Sequence, residues 1–170
     1  MTYKKIHIIG GPGSGKSYLA DKLSIQYKID DYDLDDIFWD NSAISYGTKA
    51  DVDIRNKKLL QILSNKSWII EGVYYAWLDE SFSDADIIIV LNTKIYIRDY
   101  RIIKRFLKRK LDIEISKKKE TWKSLFELLR WNHKFEYKNM IEIEKILMKY
   151  NDKTVFIRNI SELNKLKEPF

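Results

Sequence analysis

Residues 6–23 read IHIIGGPGSGKSYLADKL. A mostly apolar run, Ile6 to Ile9, enters a glycine-rich turn. Beyond it Leu19, Leu23 and Tyr27 recur on one face of a helix that starts near Gly15. Gly10, Gly15, Lys16 and Ser17 match G-x-x-x-x-G-K-[ST], and the strand before and helix after are the context this motif requires. Each residue type has a physical reason to be there. Glycines adopt the backbone angles that turn successive N–H groups toward an anion. The start of the following helix adds partial positive charge. Lys16 is placed to reach β- and γ-phosphates, and Ser17 to offer its hydroxyl to Mg²⁺. The competing explanation is a glycine turn that happens to precede a lysine, and the agreement of loop, strand and helix favours a phosphate cradle. Gly10, Gly11, Pro12, Gly13, Ser14, Gly15, Lys16, Ser17 and Tyr18 are therefore expected to hold ATP.

The remainder of the chain alternates the same two patterns. IDDYDLDDIFW is a short extended segment with clustered acids, and TKADVDIRNKKLLQILSNKS a helix with Ile54, Leu59, Ile62 and Leu63 apolar. WIIEGVY and ADIIIVLN are further strands, the second apolar throughout, as in a buried parallel strand. A basic helix is expected from about Lys94 to Leu111, and a second helical stretch from Thr121 to Tyr150 with a bend near Asn132. KTVFIR is the last strand and SELNKL a terminal helix. Alternating strands and helices argue for an α/β fold with a parallel sheet. Pro12 and Pro169 fall outside every element, and 170 residues without repeat or linker suit one domain, 1–170.

Composition narrows the function classes. Hydrophobic residues at 45% and charged residues at 33% fit a soluble globular protein. With no cysteine, neither disulfides nor thiolate metal sites are possible, which suits a cytoplasmic setting. The run in MTYKKIHIIGG is too short for a signal peptide, and no stretch approaches the roughly 20 apolar residues of a membrane span. The net charge of +6 is local. Residues 98–119 hold ten Lys and Arg against Asp99, Asp112 and Glu114, which is +7 and leaves the rest of the chain at −1. A polyphosphate-binding lid and a nucleic-acid face both have this signature.

Three groups of residues are candidates beside the loop. Asp33 and Asp35, read as alternate residues of one strand, place both carboxylates on the same side. One is expected to hold Mg²⁺ through water, the other to accept a proton from an acceptor hydroxyl. Asp35 is favoured for the acceptor, with Trp39 in the pocket wall, although Asp30, Asp31 and Asp36 make a solvated acidic turn the alternative. Glu71 ends a strand at the sheet edge where α/β ligands bind, and Gly72 leaves room for backbone to approach a ligand. The ADIIIVLN strand ends in Asn92, so the metal role falls to Glu71 or Asp33 besides Ser17. On a helical wheel Arg98, Arg101, Arg105, Lys108 and Arg109 share one face, while Ile102, Ile103, Phe106 and Leu107 share another. Arginines there are expected to neutralise charge on a transferring phosphoryl group. Lys117–Lys119 are expected to be solvated, Arg130 is a weaker lid arginine, and Trp122, Phe126 and Phe135 are expected to pack. His7 and His133 are expected to be structural.

GGPGSGKS, DLDDIFW, WIIEGVY, ADIIIVLN, RDYRIIKRFLKRK and LLRWNHKF, in this order, resemble the small adenylate-kinase-related P-loop family whose members are often labelled "DNA topology modulation protein". The pairing of LDxxFW with WIIxGxY is the specific part. The resemblance implies a three-layer P-loop NTPase fold, a five-stranded parallel sheet in the order 2-3-1-4-5 with a short helical lid at about 98–135. It also implies that Arg158, Asn159 and Ile160 approach the adenine. Arg98, Arg101 and Arg105 match lid-hinge arginines, and Asp35 the acidic position before the FW pair. Two positions depart: Glu71 stands where the family commonly has Asp, and Val73 where it commonly has Asn. The family label names a phenotype and establishes no activity. The expected function is transfer of the ATP γ-phosphoryl to a small acceptor such as a nucleoside or nucleotide. The alternatives are an ATP-binding, nucleic-acid-associated regulator and a nucleotide-binding protein with little catalysis.

Overall fold

In the computed structural model, which describes residues 3–40, 47–111 and 121–165, five short strands are hydrogen-bonded in the order β2-β3-β1-β4-β5. They are β1 (Lys5–Gly10), β2 (Asp31–Asp33), β3 (Trp68–Gly72), β4 (Ile87–Leu91) and β5 (Thr154–Ile157). Every pairing is parallel. The 2-3-1-4-5 order is thus observed. Parallel strands need crossovers that return the chain over a face of the sheet, so both faces are covered and the inner strands read as unbroken apolar runs. β3 and β4 are buried at every residue.

Alternation divides these strands between two cores. Ile6, Ile8, Ile69, Ile87, Ile89 and Leu91 pack with Leu19 and Leu23 of α1 (Lys16–Tyr27). Ile9, Ile70, Ile88 and Val90 face the other way, onto Leu59 of α3 (Val52–Leu63), Phe82 of α4 (Asp79–Asp84), and Ile143 and Leu147 of α7 (Met140–Leu147). One turn, α2 (Asp35–Phe38), follows β2 directly. Ile54, expected on the apolar face of α3, is exposed, because only Leu59 of that helix is fully buried.

Outside the sheet layers, α5 (Ile95–Lys110) and α6 (Trp122–Lys134) pack on each other through Ile102, Phe106 and Leu125. Thr121 and Ser124 form a capping box that starts α6. A single π-helical turn, Phe135–Asn139, joins α6 to α7 a few residues beyond Asn132, where the sequence suggests a bend. Such turns are places where a helix re-aims side chains. Ser161–Lys165 of the expected terminal helix form part of a 3-10 segment, Ile160–Lys165. Lys117–Lys119, Asp112, Glu114 and Pro169 lie outside the described residues, as does the middle of the expected lid.

α5 differs from its wheel reading in one consequential way. Its buried stripe is Arg98, Ile102 and Phe106, while Ile103 and Leu107 are largely exposed. Arg98 lies only 40° around the helix from Ile102, so whatever buries Ile102 also buries Arg98. Its guanidinium is ion-paired with Glu136 of the π turn and lies 5.9 Å from the Phe135 ring centroid. Desolvation lowers the Arg98 pKa, with Glu136 and Asp99 opposing. Removing one partner of a buried pair leaves a charge unpaired. Glu136→Gln is therefore expected to destabilise the fold by about 2–4 kcal/mol, below the range for fully buried pairs because Glu136 keeps some solvent contact. Chemical denaturation of the two proteins checks it.

Trp122 and Phe126, expected to pack, are also largely exposed. Trp122 still meets Phe106 at 4.9 Å between ring centroids. His7 is buried as expected, with Nδ1 2.8 Å from Ser81 Oγ, and burial lowers its pKa to about 3. His133 pairs with Asp99 at 2.9 Å. No helix among the described residues is long and apolar enough to cross a membrane.

Candidate active site

Parallel strands bring all five C-terminal ends to one edge, where ligands of open α/β sheets bind. Gly10, Asp33, Glu71 and Leu91 meet there through the registers Asp33↔Glu71 and Gly10↔Leu91. From the end of β1 the chain turns through Gly11–Gly15 into α1. Gly13 and Gly15 have φ of 70° and 103°, left-handed angles that glycine adopts without a Cβ penalty. α5 backs the loop: a Cβ on Gly13 would sit 2.8 Å from the Arg98 carbonyl oxygen. Thr93 Oγ1 donates to the carbonyls of Ser14 and Arg158, tying the loop to the end of β5.

Lys16 is buried at the mouth of this turn, with Nζ 3.4 Å from the Gly11 carbonyl and 3.9 Å from Glu71 Oε2. Burial lowers its pKa, while the charges of Glu71, Asp33 and Asp35 hold the proton on. Ser17 Oγ donates to Glu71 Oε1 at 2.6 Å. Glu71 thus contacts both Lys16 and Ser17 of the loop. Desolvation in this crowd, with the Glu71 charge next, pushes the Asp33 carboxyl up to about 6, even though its side chain keeps solvent access.

These residues fit a Mg²⁺ ion held largely through water. Among the described residues no three His, Asp or Glu side chains are arranged to bind a metal directly. A hydroxyl, nearby carboxylates and substrate phosphates are what Mg²⁺ takes while keeping waters. After desolvation, the Glu71 charge is the next cause that raises Asp33, and a cation between the two carboxylates would relieve that part.

Asp33 also gives a prediction. Its pKa is raised on folding, so the folded state binds more protons than the unfolded one between the ordinary carboxylate range and about pH 6. The stability it contributes is present at low pH and lost as pH rises through 6. Asp33→Asn is expected to raise the thermal midpoint at pH 7.5 by a few degrees, and the gain is expected to shrink as pH falls through 6 and to vanish by about pH 3, below the ordinary carboxylate range. Thermal melts at the two pH values without Mg²⁺ check it.

The acceptor-side residues differ in detail from their sequence expectation. Asp35 does not continue β2. The strand ends at Asp33, and Asp35 opens the α2 turn with its backbone N–H donating to Asp33 Oδ1 at 2.8 Å. Both charges still reach Lys16, so the shared side survives although alternation does not produce it. Gly72 is buried and its close neighbour is not a ligand: a Cβ there would meet the Leu34 side chain at 2.7 Å. Trp39 is half-buried and edge-on to Phe38 at 4.9 Å. Tyr74, part of the quoted WIIxGxY but given no role in the sequence reading, stacks on Phe38 at 4.3 Å and donates to Asp35 Oδ1 at 2.6 Å.

The three arginines part company. Arg98 is interior and packs against Gly11, so it is not part of an open arginine face. Arg101 donates to the carbonyls of Gly13 and Ser14 at 3.1 and 2.8 Å. Arg105 is exposed, and its charge reaches Lys16. Arg130 is exposed on α6. On the other side of the loop, a Cβ at Gly15 would lie 3.5 Å from Arg101 Nη1 and 3.8 Å from Ile160 Cδ1. The segment after β5 therefore does approach the loop, by way of Ile160. Arg158 donates its backbone N–H to Glu162 Oε2 at 2.9 Å. Tyr18 is exposed on the first turn of α1. A separate open groove of about 620 Å³ runs between β5 and α7, lined by Leu147, Met148, Phe156 and Arg158 among others.

No protein-family model matches the chain. "Uncharacterized protein YqaC" of Bacillus subtilis (strain 168) is 32% identical over 89 residues, which are 52% of this chain and 48% of that protein. The chain thus spans about half the length of the curated relative it matches. Two solved structures resemble it over nearly its full length. A gluconokinase from Sinorhizobium meliloti 1021 has a TM-score of 0.52 and 14% identity, covering 96% of this chain and 86% of its own. A shikimate kinase from Bacteroides thetaiotaomicron has a TM-score of 0.54 and 14% identity, covering 98% and 90%. The chain therefore has the fold of small P-loop-type kinases, and at this identity the likeness speaks for the fold alone.

Proposed function

We propose that this protein is an ATP-dependent phosphotransferase that moves the γ-phosphoryl group of Mg·ATP to a hydroxyl of a small-molecule acceptor. The observation that carries this is the convergence at one sheet edge of Lys16, the Ser17–Glu71 pair, Asp33 and Asp35. A loop that only stored a nucleotide has no need of a proton acceptor opposite its lysine. The resemblance to the adenylate-kinase-related family and the kinase fold of the two structural neighbours support the same reading.

In this reading the backbone N–H groups of Gly13–Ser17 cradle the β- and γ-phosphates, and Lys16 neutralises the charge that builds on them. Ser17, with Asp33 or Glu71 through water, would hold Mg²⁺, which would supply further positive charge beside the phosphates. The acceptor oxygen bonds to the γ-phosphorus, the bond to the β-phosphate oxygen breaks, the acceptor proton passes to Asp35 and ADP leaves. Arg101 and Ile160 flank the side of the loop where the adenine and Arg158 belong, and Arg105 faces the phosphates. Trp39 and the α2 turn bound the acceptor. A cytoplasmic setting, where ATP is the available donor, completes the proposal. The nucleic-acid alternative has lost two of its basic residues, since Arg98 and Arg101 turn toward the loop.

Release of ADP is the test, screened over nucleosides, nucleoside monophosphates and small hydroxylated metabolites. Acceptor-dependent ADP release is expected for at least one class; ATP binding without release on any of them would contradict the proposal.

A further inference from the structure

The family-like motifs LDDIFW and WIIEGVY lie more than thirty residues apart, and one side chain joins them. Tyr74 stands two residues beyond β3 and turns back over α2. Its ring stacks on Phe38 at 4.3 Å with 25° between planes, and lies 6.0 Å from Trp77. Its hydroxyl donates to Asp35 Oδ1 at 2.6 Å. The direction of this bond is fixed by chemistry: an ionised carboxylate only accepts, so the shared proton is the phenol's. Desolvation and the Asp35 hydrogen bond push the Tyr74 pKa well above the ordinary tyrosine range, which keeps it a donor at any physiological pH.

Asp35 needs such a partner. It is the first residue of a helix of four, with its backbone tied to Asp33. Nothing in one helical turn fixes the rotation of an exposed aspartate. A general base works only when its oxygen is held within hydrogen-bond reach of the proton it accepts. We propose that Tyr74, held by its stack on Phe38, is a positioning residue: it engages Oδ1 of Asp35 so that Oδ2 is turned to the acceptor hydroxyl. This rests on the phosphotransferase reading above, and it gives the phenylalanine of the FW pair a task in the mechanism.

Tyr74→Phe keeps the ring and its stacking on Phe38 and removes only the O–H. With an acceptor that the wild-type protein phosphorylates, kcat is expected to fall about 10- to 100-fold, the share typical of a mispositioned acid–base group. The KM for ATP is expected to stay within about twofold, because the donor site is untouched. In an Asp35→Asn background the same substitution is expected to cause no further loss. Full kcat in Tyr74→Phe, or an equal fall in the Asp35→Asn background, would overturn the role of Tyr74 while leaving the kinase standing. Absence of transfer by the wild-type protein would overturn the kinase reading, and the positioning role with it.

Discussion

Lys16→Ala is expected to lower phosphoryl transfer by at least about a thousandfold while the fold is kept. The lysine is buried beside the Gly11 carbonyl and Glu71, where water cannot replace it. Preorganised charge in such a site acts at full strength on developing negative charge, and single donors of this kind are worth about 10²–10³ in kcat. Lys16 also carries attraction for the phosphates in the ground state, so ATP affinity is expected to fall as well, by about tenfold. The fold tolerates the change for a specific reason. At 3.9 Å the Lys16–Glu71 contact is at the limit of an ion pair, and Glu71 keeps its hydrogen bond from Ser17. Burying the ammonium costs free energy that alanine does not incur. The thermal midpoint is therefore expected to stay within a few degrees, with ADP release and melts read on the same preparation.

Asp35→Asn is expected to reduce kcat by about 10²–10⁴ with the KM for ATP nearly unchanged. Asparagine preserves the size of the side chain and can accept the Tyr74 hydrogen bond through its own oxygen, so what is lost is the ability to take a proton. The size of the effect also classifies the acceptor. A hydroxyl must give up its proton during attack, whereas a phosphate oxygen has none to give at neutral pH. A loss of less than about tenfold would therefore assign the acceptor to the phosphates, and a large loss to the alcohols. Steady-state kinetics at saturating ATP separates the two.

The donor half of this site was legible in the eighteen residues 6–23 because its chemistry is local. The glycines, lysine and serine of GGPGSGKS are neighbours in sequence and in space, and one motif holds loop, strand and helix. Parallel order was equally legible, since IIIVL leaves no polar face for solvent. What failed were inferences that carried a local period one residue too far. Asp-Leu-Asp alternates like a strand, but β2 ends at Asp33, where the chain turns into α2, and Leu34 is buried under Gly72. Arg98 shares a wheel sector with Arg101, but its helix is pressed on the loop by Ile102, and Glu136 waits at the π turn to receive it. The glycine at 72 signalled close approach correctly and the partner wrongly, because spacing shows that room is needed and not what fills it. Tyr74 was in view as a motif letter. Its role was out of reach because its partners, Asp35 and Phe38, come from the far side of a crossover, and long-range pairing of that kind leaves no periodic trace.

The central claim is that the phosphate leaves ATP for an acceptor held opposite Lys16. Phosphorus NMR of Mg·ATP with the purified protein and the acceptor pool tests it directly, because it sees where the phosphorus goes. The account predicts loss of the γ-phosphate resonance, appearance of ADP, and a new phosphoester resonance that is missing with Lys16→Ala. ATP that stays intact with every acceptor, or γ-phosphorus that appears only as inorganic phosphate, would contradict it.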